Sequence, residues 1–266
     1  MAHEDDNLSF WDHLDELRSV ILRIVGISLL LGIVAFCFKD VLFDVVLAPS
    51  KSDFITYRLL AQLGSIWGTA APDFSVDMIN TLLSQQFIAH MKTAFYAGLF
   101  CALPYMLFAL MQFVVPALGR DAKRYTILFV GAGYIMFLLG VLLGYFVIFP
   151  LTFRFLATYM VSDEVVNMIS LSSYMATFTS MNVIMGVIFE MPILCWLFAK
   201  LSILKASFMR QYRRHAIVLI LVVAAIITPT SDIFTLFLVS LPMWLLYELS
   251  IAIVALVERR RISVEA

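Results

Sequence analysis

One carboxylate, Glu190, stands alone in the otherwise uncharged stretch 165–199. Its flanks are apolar enough to cross a bilayer, where insertion scales put an unpartnered carboxylate at about 2.5–3.5 kcal/mol unfavourable. A residue in that position is a functional-site candidate. Two positions on, Pro192 removes the amide that would bond the Ile188 carbonyl, so a kink is expected at the same depth. Charge and kink together predict a groove and not a lipid-facing surface. Thr179, Asn182, Gly186 and Glu190 recur at steps of three and four and share one helix face. Gly186 permits close backbone approach, and the polar members can hydrogen-bond across helices. The stripe fits a helix–helix contact, either within the chain or with a partner. Glu190 itself admits three readings: a structural carboxyl, a proton-coupling carboxylate, or a polar docking point for a partner helix.

A second constellation lies in SFWDHLDELRSVILR, residues 9–23. Ser9 and Asp12 have capping-box-like spacing, and Trp11, Leu14, Leu17 and Ile21 form an apolar stripe. Asp12, Asp15, Glu16 and Arg18 crowd the same short helix. The spacing fits a solvated face with a local Asp15–Arg18 pair, the reading favoured by physics alone. It also fits carboxylates at a membrane surface receiving a cationic ligand. In TPTSD, residues 228–232, Asp232 is expected to cap the following helix. Glu248 is expected to pair with an arginine of 259–261 or to snorkel to water. Neither HExxH, GxSxG nor a P-loop occurs, and Glu190 and Asp232 are expected at different depths, so no catalytic site is expected. Cys37, Cys101 and Cys195, like the four histidines, are dispersed. No metal, cofactor or disulfide framework is therefore expected.

The elements that position these groups must be membrane helices. The chain of 266 residues is 62% hydrophobic and only 14% charged, far from the balance of a soluble domain. A net charge of −1, with no basic stretch interleaved with aromatics, excludes a nucleic-acid role. Six spans are expected, at 20–38, 93–115, 125–149, 172–199, 215–228 and 233–257, with the third closed by Pro150 and the fifth and sixth short. The acidic N-terminus lacks the basic region of a cleavable signal, so the first run is expected to remain as an anchor. Thirteen of the eighteen Lys and Arg residues fall in 1–19, near the start of the first span, or in 116–124, 200–214 and 258–266. Five, Lys39, Lys51, Arg58, Lys92 and Arg154, fall on the other side, which places both termini in the cytoplasm. The outward segments are then 39–91, 150–171 and 229–232. Within the first, ITYRLLAQL and MINTLLSQQFIAHM carry helical spacing and read as an amphipathic cap over the bundle. The whole chain reads as one domain.

Several strings, in order and with matching spacing, resemble the TatC family of the twin-arginine protein translocase. They are HLDELR at 13–18, FVVPAL at 113–118, YFVIFPLTFRFL at 145–156, GVIFEMP at 186–192, TPTSD, and LPMWLLYE at 241–248. The resemblance implies an all-α integral membrane protein with six transmembrane helices in a glove-shaped, concave bundle. It implies a signal-peptide receptor of the bacterial inner membrane. Such a receptor exports folded proteins on the proton-motive force with TatA and TatB-like single-span partners, as part of a larger complex containing several copies. By the same resemblance, Glu16, with His13, Leu17 and Arg18, would engage the twin arginines. Phe113 would line that site, Glu190 would contact a partner helix, and Asp232 would match the acidic residue of the last outer turn. The family often has a Glu six residues beyond the proline of the FVVPAL string. Here Ala122 holds that place, and Asp121 is the adjacent carboxylate. The outer loop is longer than the family pattern. The rival from another class is an ion-coupled secondary transporter with Glu190 as proton carrier. Such folds pair two broken helices, and here one broken helix has no matching half.

Overall fold

The computed structural model describes residues 10–66, 78–114, 122–160, 162, 167–228 and 232–265. Apart from one two-residue strand pair, the elements are helical. In chain order they are α1 (Phe10–Phe36), α2 (Lys39–Leu47), α3 (Ile55–Ile66), β1 (Met78–Ile79), α4 (Gln85–Val114), α5 (Ala122–Leu143) and α6 (Phe149–Thr158). There follow β2 (Ile169–Ser170), α7 (Leu171–Phe189), α8 (Met191–Lys200), α9 (Ala206–Gln211), α10 (Arg213–Ile227) and α11 (Ile233–Glu265). A π-helical turn, Gly144–Ile148, joins α5 to α6. Among the described residues, five helical paths are long and apolar enough to cross a bilayer: Leu17–Phe36, Gln85–Gln112, Tyr125–Thr158, Leu171–Lys200 and Ile233–Arg260. The expected fifth span corresponds to α10, whose 15 residues rise about 22 Å, less than the ~30 Å hydrocarbon core. Leucine, isoleucine and valine side chains cover the outer faces of α1, α5 and α10 and stay exposed, as lipid-facing surfaces must.

The closest helix pair is α1 against α4. A Cβ built on Gly98 would lie 2.3 Å from the Gly32 amide nitrogen and 2.6 Å from the Ser28 carbonyl oxygen. Two backbones meet there because neither helix presents a side chain at the crossing. The pair is antiparallel, since Ala94 and Phe95 face Gly32 while Gly98 reaches back to Ser28.

The helical path does not end at Pro150. The path continues through the π turn, where the Phe149 amide bonds the Gly144 carbonyl, and runs on to Thr158. Pro150 has no N–H for the Phe146 carbonyl, and the Thr56 hydroxyl donates to that carbonyl instead. The helix survives because α3 supplies the missing bond. The sixth span is likewise not short: α11 passes Pro242 and extends for 33 residues. Its Glu248 pairs with Arg213 of α10 at 2.7 Å.

The outer cap forms as helices where ITYRLLAQL predicts one. In the second string, Met78 and Ile79 pair in parallel with Ile169 and Ser170, so that part is strand. Tyrosine hydroxyls fasten the cap to the bundle. Tyr145 donates to Val45 O at 2.8 Å and Tyr174 to Val46 O at 2.7 Å. Tyr57 reaches Pro49 O at 2.9 Å and Pro150 O at 3.1 Å. Burial pushes the Tyr57 phenol well above its usual value, and the nearby Arg154 guanidinium only partly opposes this. A phenol held protonated in the folded state stabilises the fold below pH ~10, and that contribution fades as pH rises through the folded value. Tyr57→Phe should lower stability by about 1–3 kcal/mol, because two buried carbonyls lose their donor. Limited proteolysis within 39–91 should then speed up, with the wild-type chain showing the same loosening only above pH ~10.

Candidate functional site

At the intramembrane site the chain breaks where Glu190 and Pro192 predict it. α7 ends at Phe189 and α8 begins at Met191, with Pro192 in its first turn, where a missing N–H is tolerated. The Glu190 amide bonds Val187 O at 3.1 Å, and its own carbonyl accepts from Ile193 at 3.1 Å and Leu194 at 3.0 Å. Its side chain turns inward and is 8% exposed. Both carboxyl oxygens are buried and have no hydrogen-bond partner among the described residues. One of them lies 3.0 Å from where a Cβ on Gly133 of α5 would stand, and Leu107 of α4 closes the same space. The expected groove is therefore filled at Glu190. Gly133 makes room for the carboxyl by having no side chain.

The rest of the stripe also turns toward α5. Gly186 lies so close to the Phe137 ring that an added Cβ would stand 2.5 Å from it. Asn182 is buried. Its Nδ2 donates to Phe178 O at 2.7 Å, and its Oδ1, unbonded among the described residues, faces Gly144. Gly140 packs equally tightly on the Met185 carbonyl and Phe189. Gly186 and Asn182 thus make an internal contact, while Thr179 and Asn182 also border a cavity of about 510 Å³ between α2, α4, α5 and α7. Sequence reading missed Gly133, Gly140 and Gly144, although steps of seven and four are the spacing of a helix face bared for a neighbour.

The N-terminal constellation sits on α1 before its apolar stretch begins at Leu17. Asp15, Leu17 and Arg18 are exposed, and Asp15, Arg18, Ser19 and Arg23 border a shallow open depression. The side chains of His13, Glu16 and Phe113 lie outside the described residues, and Asp121 lies outside them entirely. The backbone still fixes one relation. From the Gly98–Gly32 crossing, counting outward along the antiparallel pair brings Phe113 level with the segment around Asp15 and Glu16. At the opposite end, Asp232 Oδ1 accepts from the Thr235 amide at 2.7 Å, so the expected cap on α11 forms.

Comparison with known proteins agrees with this architecture. The sequence model of the Sec-independent protein translocase protein TatC matches residues 12–242. A TatC of Blattabacterium sp. subsp. Periplaneta americana is 32% identical over 98% of this chain and 100% of its own length. A TatC of Deinococcus radiodurans is 33% identical over 91% of this chain and 84% of its own. In the crystal structure of the twin arginine translocase receptor TatC, a chain 27% identical superposes with a TM-score of 0.74, covering 92% of this chain and 99% of that one. The multi-pass inner-membrane architecture expected from the sequence, nearly all helical, is thereby established. The chain belongs to the TatC family, the membrane-embedded components of the Sec-independent protein translocase.

Proposed function

We propose that this chain is the twin-arginine signal-peptide receptor and core subunit of its translocase. It works with TatA and TatB-like single-span proteins and exports folded cargo on the proton-motive force. In this reading six helices cross the membrane, both termini are cytoplasmic, and several copies assemble. The observation that carries the proposal is the charged, exposed start of α1, whose Asp15, Leu17 and Arg18 face outward just where the apolar stretch begins. A guanidinium forms a forked, two-bond pair with a carboxylate that lysine's point charge cannot copy. Single pairs near the headgroups contribute only about 0–1 kcal/mol, so selectivity needs both arginines engaged together. His13, Glu16, Phe113 and Asp121 complete the receptor in this reading, the last serving where Ala122 replaces the common Glu.

Glu190 is the proposed docking point. Two buried oxygens with no partner among the described residues are what a polar side chain on an incoming helix would satisfy. The receptor assignment is tested by Glu16→Lys, measured by photo-crosslinking of a twin-arginine peptide to the chain in membranes. Crosslinking should drop to background while the amount of inserted protein stays the same. Crosslinking at the wild-type level in that variant refutes the assignment.

A further inference from the structure

Two hollows open between α4 and α7, in the half of the bundle that holds the starts of both helices. The deeper one, about 510 Å³, is walled by apolar side chains including Val45 and Val46 of α2, Ala97 and Phe100 of α4, and Leu142 of α5. The shallower one, about 250 Å³, has Gln85, Lys92, Ser172 and Ser180 on its walls. Tyr96 and Thr179 border both, so the two hollows adjoin. Gln85 and Ser172 belong to the first turns of α4 and α7, whereas Phe100 and Asn182 lie several turns further in. The polar side chains therefore gather toward the helix starts, among Ile88, Ala89, Met175 and Ala176, and the walls further in are almost wholly apolar.

The mouth asks for a ligand. Gln85 is 4% exposed, and neither its Oε1 nor its Nε2 has a partner among the described residues. A buried amide left unbonded is a substantial destabilisation that a bound polar group would remove. Lys92 is exposed and forms no ion pair among the described residues, and the positive end of the 30-residue α4 points the same way. These groups together favour an anion with hydrogen-bond acceptors. The depth favours something slender: a helix is about 10 Å across with a 5.4 Å pitch, so ~510 Å³ admits little more than a single turn.

We infer that these adjoining hollows seat one anionic phospholipid, its phosphate among Gln85, Lys92 and Ser172 and one acyl chain in the hollow between α2, α4, α5 and α7. The lipid would join the outer cap to the bundle, since α2 forms one wall of its chain site.

Native mass spectrometry of the full-length chain tests this, titrating phosphatidylglycerol, phosphatidylcholine and glycerol phosphate without acyl chains. Phosphatidylglycerol should bind about tenfold more tightly than either of the others, the difference expected for one charged contact. Lys92→Gln should abolish that preference by weakening phosphatidylglycerol more than phosphatidylcholine, and Ala97→Phe, which fills the chain site, should weaken both lipids. Lys92 is exposed, so its variant decides the matter alone if Ala97→Phe does not fold. Equal binding of the two lipids overturns the inference, as does glycerol phosphate binding as well as the lipid. A photo-crosslinker at position 97 that captures a polypeptide instead of lipid also overturns it.

Discussion

Gly98→Ala is expected to separate α1 from α4 and to lower the melting temperature of the purified chain more than any other glycine-to-alanine change in the two helices. The atoms that the new methyl would meet, Gly32 N and Cα and Ser28 O at 2.3–2.6 Å, all belong to backbone. No rotamer change can clear them, so the helices themselves must move apart. Overpacking commonly costs about 1–3 kcal/mol, and a clash with rigid backbone belongs at or above the top of that range. Gly32 at the crossing and Gly131 on α5 supply controls. At Gly32 an added Cβ would find its nearest neighbours at 3.4 and 3.5 Å, an ordinary contact, so Gly32→Ala should be nearly neutral. Gly131 has nothing within 4 Å, and Gly131→Ala should stabilise slightly, by up to about 1 kcal/mol of helix propensity. The consequence reaches the receptor end. Opening the crossing would shift the end of α4 relative to the start of α1, so Gly98→Ala should also weaken signal-peptide crosslinking although it touches none of the proposed contacts. Equal melting of Gly98→Ala and Gly131→Ala would show that the two helices are not packed backbone to backbone.

How much of this was legible in the sequence depends on whether the cause is local. The break at Glu190, the Asp232 cap and the helix over ITYRLLAQL follow from groups within a few residues of each other, and each forms as expected. Pro150 fails as a terminator because the hydroxyl that replaces its missing bond comes from Thr56, 90 positions away in the chain. Glu248 finds Arg213 because α10 and α11 pack against each other, and Met78–Ile79 become strand because Ile169–Ser170 lie beside them. No local periodicity encodes these partners. The polar stripe on α7 was legible as a contact face. What it contacts was not, because the answer rests on Gly133 and Gly140 of α5 and Gly144 of the π turn, whose significance is the absence of a side chain.

Glu190→Leu should leave the isolated chain as stable as wild type, or more so, while abolishing export of a folded reporter behind a twin-arginine leader. The argument starts from what the carboxyl lacks. Both of its oxygens are buried and make no hydrogen bond among the described residues, and one of them lies beside Gly133, so removing them breaks no hydrogen bond. Replacing buried charge with an apolar side chain of similar size is often neutral or stabilising by about 1–4 kcal/mol. A group that is dispensable or harmful to the resting fold has its use elsewhere, here when an incoming helix offers a polar partner. Copurification of single-span partners should fall together with export, while thermal unfolding in detergent shows no loss. Glu190→Gln separates the two functional readings. Its amide keeps the volume and the hydrogen-bonding capacity but cannot exchange a proton. Export retained in Glu190→Gln supports docking, and export lost in Glu190→Gln with partner binding intact supports the proton-carrier role instead. A drop of about 3–5 kcal/mol in the stability of Glu190→Leu, the signature of a broken buried pair, would mean that the carboxyl is held within its own chain and that the docking account is wrong.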